Sequence, residues 1–439
     1  MPSRVLIITY YWPPSGGAGV QRWLKFVKYF RKFDWEPVIY TPLNPEYPAI
    51  DNTLIDDVPL NLEIIQTPIW EPYQLYKKLT GKNSDEKVNA SGFISEKANP
   101  GVIQKASLWL RGNFFIPDAR KFWIKPSVKF LTEWLPSHKI DAIVSTGPPH
   151  SMHLIAMAVN EKTKIPWLAD FRDPWTNIDF YKDLNLTKSS DKLHHKLELE
   201  VLTKADKVVV ISNSMKSDFL EIKDREYLVI TNGFDSDDTN TSTVKPDSKF
   251  SISHIGSMAS SRNPVMLWEA LKDLKELIPG FNDNLVIKLI GTIDFQVLQS
   301  IDKAGLTENL DKIEYRPHNE IITLQKQSRV LLLVINDTPN AKVILPGKFF
   351  EYLVSGRPIL CIGPTDGDAA KIIAETGSGH VTPYNDKRLI FDTVLNLYNQ
   401  YLSDQDYITP SQVSGFSREA LTKKMSEVLN DLIEKHRVE

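Results

Sequence analysis

The sequence predicts an α/β protein built from two doubly wound units, each a parallel sheet covered by helices. Short apolar runs rich in β-branched residues, the pattern of buried parallel strands, alternate with amphipathic stretches along most of the chain. That alternation stops in a polar stretch after residue 235 and restarts at Phe250, and each half opens with a strand, a glycine loop and a helix. With 439 residues the chain also exceeds what one hydrophobic core usually serves. The predicted divisions are a first domain over residues 1–235 with an insertion over about 43–136, a linker over 236–248, a second domain over 249–415 and a terminal helix over 416–439.

Val5-Leu6-Ile7-Ile8-Thr9 is the first strand, and it runs into Tyr10-Tyr11-Trp12-Pro13-Pro14-Ser15-Gly16-Gly17-Ala18-Gly19. A helix follows, with Val20, Leu24 and Val27 near helical spacing. Gly16, Gly17 and Gly19 let backbone N–H groups approach an anion closely, so the loop fits a phosphate; it fits a tight turn without ligand equally well. Pro37 to Thr41 is a second strand beside the first.

The insertion carries little strand signal. From Gly101 to Phe130 it places Lys105, Arg111, Arg120, Lys121, Lys125 and Lys129 against the single acid Asp118, interleaved with Trp109, Phe114, Phe115, Phe122 and Trp123. Rings at the headgroup level and cations on anionic lipid are what a membrane-surface segment needs. The same residues would also serve to cover the core or to cradle an anionic acceptor. No nucleic-acid-binding motif accompanies them, so nucleic acid is not expected as a partner.

Ala142-Ile143-Val144-Ser145 is a strand, followed by Thr146-Gly147-Pro148-Pro149-His150 and a helix over Ser151 to Asn160. Ile165 to Asp170 is the next, running into Phe171-Arg172-Asp173-Pro174-Trp175. Both polar clusters fall just past strand ends, where an α/β site is built. His150 fits the deprotonation or orientation of a hydroxyl or contact with a sugar oxygen, but on its residues alone it fits better a helix-start residue bonded to backbone. Arg172 and Asp173 fit a binding role or a buried structural pair. Lys207 to Ile211 and Tyr227 to Thr231 complete the half, which ends in Asn232-Gly233-Phe234-Asp235. Asp235-Ser236-Asp237 has a metal-binding DxD spacing, but in this polar stretch it reads as a solvated acidic turn and no metal is expected.

The second half runs Phe250 to Ile255, then Gly256-Ser257-Met258-Ala259-Ser260-Ser261-Arg262, then a helix through Leu277. Further strands follow at Val286 to Gly291, Ile313 to Tyr315, Val330 to Ile335, Pro358 to Ile362 and His380 to Thr382. Pro346 and Gly347 suit a helix start and Gly356 with Pro358 its end, which makes a short helix whose start is open to a ligand. Lys348 and Glu351 share one face of it, a cation for phosphate and a carboxylate for ribose hydroxyls; an ordinary surface ion pair has the same spacing. Leu421, Met425, Val428, Leu429 and Leu432 form the apolar face of the last helix.

Composition agrees with a folded soluble chain. Hydrophobic residues make up 42% and charged residues 24%, and no stretch approaches the ~20 apolar residues of a membrane span. The formal charge of -3 excludes neither a nucleotide nor a membrane surface. Cys361 is the only cysteine, so no intrachain disulfide forms, which suits a reducing cytoplasm. An N-terminus that enters a strand at once, without the regions of a signal peptide, points the same way.

In order along the chain, Gly16-Gly17-Ala18-Gly19-Val20-Gln21-Arg22, Asn232-Gly233-Phe234-Asp235, the Gly256 loop and the Lys348/Glu351 helix resemble the family 4 glycosyltransferases of the GT-B fold, in which two Rossmann-like domains face each other across a cleft. Pro148-Pro149-His150 with Phe171-Arg172-Asp173-Pro174-Trp175 is similar to bacterial members that build surface polysaccharides. The chain departs from the family at Val343, where the first of two glutamates eight apart usually stands, and at Ser257, where an arginine usually follows the glycine.

The resemblance implies transfer of a sugar from a nucleotide diphosphate donor to a hydroxyl on a glycan or lipid-linked acceptor, with retention and without a cofactor or fixed metal. It implies donor contacts at Gly16, Gly17, Gly19, Gly256, Arg262, Lys348 and Glu351, acceptor-side contacts at His150, Arg172 and Asp173, and catalytic roles for His150, Arg262 and Lys348. The expected location is cytoplasmic, peripheral on the inner face of the membrane. A nucleotide-sugar epimerase and a non-catalytic binding partner share the fold and stay open. A dinucleotide oxidoreductase is disfavoured, because neither glycine loop is GxGxxG.

Overall fold

The computed structural model describes residues 2–71, 109, 112–178, 181–235, 244–314, 316, 318–405, 408 and 410–438. Lys105 and Arg111 of the basic segment, Asp237 and Asp238 of the linker, and Tyr315 lie outside the described residues. The chain forms two compact units, one of residues 1–231 with 418–439 and one of residues 232–417.

In the first unit β1 (Ser3–Ile8), β2 (Trp35–Pro42), β3 (Glu63–Thr67), β4 (Ala142–Gly147), β5 (Trp167–Phe171), β6 (Lys207–Val210) and β7 (Leu228–Val229) form a parallel sheet in the order β3-β2-β1-β4-β5-β6-β7. Its helices are α1 (Ala18–Phe30), α2 (Lys121–Trp134), α3 (Ser151–Thr163), α4 (Lys188–Lys204), α5 (Asn213–Ile222) and the terminal α12 (Arg418–Val438). Side chains alternate across a strand, so one apolar run feeds two helix layers. Leu6 and Ile8 of β1 join a core with Trp123, Leu131 and Ile155, whereas Val5 and Ile7 join another with Val20, Leu24, Leu421 and Met425.

Two features of this unit differ from the sequence expectation. The insertion contributes the edge strand β3, paired with β2 in the register Ile39↔Ile64. Its side chains are exposed or half-buried, so it lacks the apolar run that marks an interior strand. The terminal helix is no appendage, since Leu421, Met425, Leu429 and Leu432 complete the core over α1. Asn430 accepts a hydrogen bond from Trp35 Nε1 at 3.1 Å, and Asp431 pairs with Lys207 at 2.8 Å.

The second unit repeats the plan. Here β8 (Phe250–Ile255), β9 (Leu285–Ile290), β10 (Leu310–Ile313), β11 (Val330–Val334), β12 (Ile359–Ile362) and β13 (Gly379–Thr382) form a parallel sheet ordered β10-β9-β8-β11-β12-β13. On one face α6 (Val265–Leu277) and α11 (Lys387–Leu402) pack on Leu332 and Val334. On the other α9 (Gly347–Leu353) and α10 (Asp368–Thr376) pack on Leu331 and Leu333. Further helices are α7 (Phe295–Lys303) and α8 (His318–Gln327), with a single helical turn over Phe281–Asn284. Strand order reverses between β1 and β4 in one sheet and between β8 and β11 in the other, and ligands of open α/β sheets bind at the carboxyl ends beside such reversals.

Candidate active site

In the second unit the reversal is lined by two glycines with positive φ, Gly256 (105°) after β8 and Gly291 (118°) after β9. A Cβ on Gly291 would lie 3.1 Å from the Gly256 carbonyl, so the two loops lie too close together for a side chain at that position. Gly256 N bonds Ile290 O at 2.8 Å and Met258 N bonds Thr292 O at 3.0 Å, which holds the loops together.

Helix α9 buries Phe349, Phe350, Tyr352 and Leu353, leaving Lys348 and Glu351 half-buried on its other face. Tyr352 Oη accepts the Ile255 N–H at 3.1 Å and pins the helix to the end of β8. Lys348 Nζ donates to Ile255 O at 2.8 Å and stands 3.0 Å from His254 Nε2. His254 Nδ1 is 3.1 Å from Leu332 O; a carbonyl can only accept, so Nδ1 carries the ring proton and Nε2 presents a lone pair. Burial, then the Arg262 charge, holds Lys348 well below the ordinary lysine range, and Glu351 opposes them. Burial and the Lys348 charge keep His254 neutral.

Glu351 faces elsewhere. Its Oε2 accepts from Gln325 Nε2 of α8 at 2.8 Å, beside a pocket lined by Phe234, Asp235, Ile322, Lys326 and Val354. Neighbours on one helix face thus address two places, the end of β8 and the groove toward α8. Arg262 lies in a 3₁₀ turn of the Gly256 loop; its Nε donates to Asn336 Oδ1 just past β11, and its Nη1 to Ser257 O at 3.3 Å. Asn336 went unnoticed in the sequence, although it is the first polar residue after the apolar run of β11. Tyr384 Oη anchors its carbonyl at 2.9 Å. Val343 is buried in a 3₁₀ turn ahead of α9.

In the first unit the glycine loop is shaped by its own contacts. A Cβ at Gly16 would meet Asp51 Cβ at 3.2 Å, one at Gly19 would meet the Tyr11 ring at 2.9 Å, and Gly17 has φ 90°. Arg172 reaches across the reversal, donating from Nη1 to Gly19 O and from Nη2 to Pro148 O. Burial lowers its pKa, against the carboxylates of Asp173 and Asp170. Asp173 itself is exposed, so Arg172 and Asp173 are not a buried pair. A buried pair at this place is Arg22 with Asp170, whose Nη2–Oδ1 distance is 2.8 Å. Asp170 also accepts from Trp23 Nε1 at 2.7 Å and Thr146 Oγ1 at 3.1 Å.

His150 is the N-cap of α3, but its ring makes no capping bond. It is buried and stacked on Trp175, and its Nδ1 has no hydrogen-bond partner among the described residues. Burial first, then the fields of His153, Arg172 and His194, keep it neutral. One turn on, His153 Nδ1 lies 2.8 Å from Ser145 Oγ, which takes the Trp167 Nε1 proton at 2.8 Å. The partnerless His153 Nε2 and His150 Nδ1 converge on Gly147, where a Cβ would lie 2.5 and 3.0 Å from them. The start of α3 is closed by Asp118, which accepts from Ser151 N and Ser151 Oγ at 2.9 Å each.

The basic and aromatic segment divides. Trp123 is buried against Tyr40 with ring centroids 5.0 Å apart, and Arg120 pairs with buried Glu71 at 3.1 Å. Outside remain Trp70, Trp109, Phe114 and Phe122, between 41% and 58% exposed, with Trp70 edge-on to Phe122 at 4.8 Å. Lys121 lies over the Phe122 ring at 5.5 Å, and Lys125 and Lys129 are exposed on the same helix.

Comparison with known proteins bears on the fold. No family model matches the chain, and no curated protein matches it in sequence. Solved structures do match over its length. The chain is similar to sucrose-phosphate synthase from Thermosynechococcus elongatus, with 11% identity and a TM-score of 0.62 over 99% of this chain and 100% of that one. It is similar to WaaG, a glycosyltransferase involved in lipopolysaccharide biosynthesis, with 13% identity and a TM-score of 0.52 over 98% of each chain. It is also similar to a putative UDP-N-acetylglucosamine 2-epimerase from Listeria monocytogenes, with 11% identity and a TM-score of 0.56 over 99% of this chain and 98% of that one. At such identities the likeness establishes the fold, which is GT-B.

Proposed function

We propose that this protein is a glycosyltransferase that moves a sugar, with retention, from a nucleotide diphosphate donor to a hydroxyl of a glycan or lipid-linked acceptor in surface polysaccharide or glycolipid synthesis. The observation that carries the proposal is the pair of basic side chains, Lys348 and Arg262, held at the carboxyl ends of β8 and β11 beside Gly256, where a bound diphosphate would favour their charged forms. Charge on a diphosphate grows as the sugar departs, so cations fixed in advance at that place stabilise the transition state more than the ground state. The same charges are sufficient in kind to act without a metal. Glu351 would take the ribose hydroxyls.

On the acceptor side, His150 would orient the acceptor hydroxyl, its imidazole kept neutral by burial and the neighbouring charges, with Arg172 and Asp173 shaping the approach. The exposed rings and lysines of the first unit fit a peripheral site on the inner face of the cell membrane. Among the described residues no helix is long and apolar enough to cross it. Sucrose-phosphate synthase and WaaG support sugar transfer as the chemistry of this fold, whereas the putative 2-epimerase supports epimerisation of the donor as the second reading.

A thermal-shift screen of nucleotide sugars tests the proposal first, since a ligand at ~100 times its dissociation constant stabilises by ~2.7 kcal/mol. The donor that binds is then followed by NMR with and without a lipid-linked acceptor and with EDTA. Transfer that needs the acceptor, keeps the anomeric configuration and survives EDTA is expected. Donor converted without acceptor would establish the epimerase, and failure of every nucleotide sugar to bind would sink both readings.

A further inference from the structure

An ammonium group has three donors in tetrahedral arrangement. Two of those on Lys348 are committed inside the unit, one to Ile255 O at 2.8 Å and one to His254 Nε2 at 3.0 Å. The Nζ atom borders the opening beside Gly256: among the described residues and apart from chain neighbours, it is the one heavy atom within 4 Å of the position a Cβ would take there, at 3.7 Å. His254 is fully buried within β8, and a buried imidazole is costly unless its polar atoms are satisfied. Here Leu332 O takes the Nδ1 proton and Lys348 faces Nε2.

We propose that His254 is a positioning residue for the donor site, its Nε2 lone pair holding the Lys348 ammonium so that the third proton meets a diphosphate oxygen beside Gly256. This rests on the reading of Lys348 as a diphosphate ligand. The choice of imidazole has a physical reason. A carboxylate in the same place would orient the ammonium too, but it would cancel the charge the diphosphate needs, whereas a neutral acceptor fixes direction and leaves the charge available. Arg262 from the Gly256 loop and Glu351 from α9 are the charged groups that act on the same ammonium.

The test is calorimetric titration of UDP, GDP and ADP into the full chain, with folding of each variant checked by thermal melting. His254→Leu should weaken the nucleotide that binds by about tenfold, the worth of one charge-assisted hydrogen bond. His254→Gln, whose Oε1 can stand where Nε2 does, should restore most of the affinity, whereas His254→Asn, whose oxygen reaches only as far as Nδ1, should not. In a Lys348→Ala background His254→Leu should cost nothing more. Equal losses in both backgrounds, or no rescue by Gln over Asn, would reduce His254 to a packing residue. Wild-type affinity in Lys348→Ala would instead remove Lys348 from the diphosphate site, and no binding by the wild type would remove the donor reading itself. Should His254→Leu not fold, the Gln and Asn variants decide.

Discussion

The imidazole of His150 lies flat against the indole of Trp175, with ring centroids 4.5 Å apart and planes inclined by 2°. Trp175 is itself held by α4, donating from its backbone N to Glu198 Oε1 at 3.3 Å and from Nε1 to His194 Nδ1 at 3.1 Å. The plane of the proposed acceptor-side imidazole is therefore set from α4 as much as from its own helix. His150→Ala should cut turnover while leaving nucleotide affinity nearly intact. Trp175→Leu, which removes the stacking surface, should lower turnover in the same direction. Wild-type kcat in His150→Ala would remove the residue from the site.

The second prediction concerns acid. Burial pushes the His153 imidazole from 6.5 down to about 3, with Asp170 opposing and Arg172 assisting the shift. Between those values the unfolded chain binds a proton that the folded chain does not. Stability is full above about pH 6.5 and falls toward pH 3, by about 1.4 kcal/mol per pH unit for one such group. His150 acts in the same sense. Urea unfolding of His153→Leu along a pH series should show a shallower decline than wild type by about one proton. Parallel curves would mean that His153 titrates normally.

A third prediction separates the two residues of α9. Glu351→Gln should weaken binding of the nucleoside diphosphate by about tenfold or more, because a charge-assisted hydrogen bond is worth roughly 1.5 to 3 kcal/mol. Lys348→Ala should depress kcat more than ground-state affinity. If the two were only a surface ion pair, each variant would lose a few tenths of a kcal/mol of stability and bind normally. An unchanged dissociation constant in folded Glu351→Gln ends the ribose assignment.

The fourth concerns the membrane. Lysines near an anionic surface contribute about 1 kcal/mol each, so Lys121→Glu/Lys125→Glu should reduce flotation with anionic liposomes at least tenfold. Trp70→Ala/Phe122→Ala should do so by removing the exposed ring pair. Recovery that ignores both lipid charge and these substitutions would leave the patch to another role.

Interior strands β1 and β11 were legible because their buried runs are apolar on both faces, and they and β8, where apolar residues alternate with Ser251 and Ser253, lie within a residue or two of the runs that predict them. Edge strand β3 was not, since its half-exposed residues carry no such run. The position of polar residues just past strand ends was legible, as with His150 after β4 and Arg172 after β5. Their partners were not, because they come from far along the chain. Asp170 is 148 residues from Arg22, and Asp118 is 33 from the helix start it caps. His254 follows Phe250 and Ile252 on one face of β8 and reads there as core; the Leu332 carbonyl on one side and the Lys348 amine on the other distinguish it.

The return of α12 to the first unit sets an order of events on the ribosome. The face of α1 carrying Val20, Leu24 and Val27 is made at the beginning of the chain, yet Leu421, Met425 and Leu429 that cover it come near the end. During synthesis that face must wait, bare, while the whole second unit is translated. The second unit, by contrast, holds all of residues 232–417 and is complete before α12 emerges. Chains released short of residue 418 would therefore present a finished second unit and an open apolar face on the first, the state most exposed to chaperones and proteases.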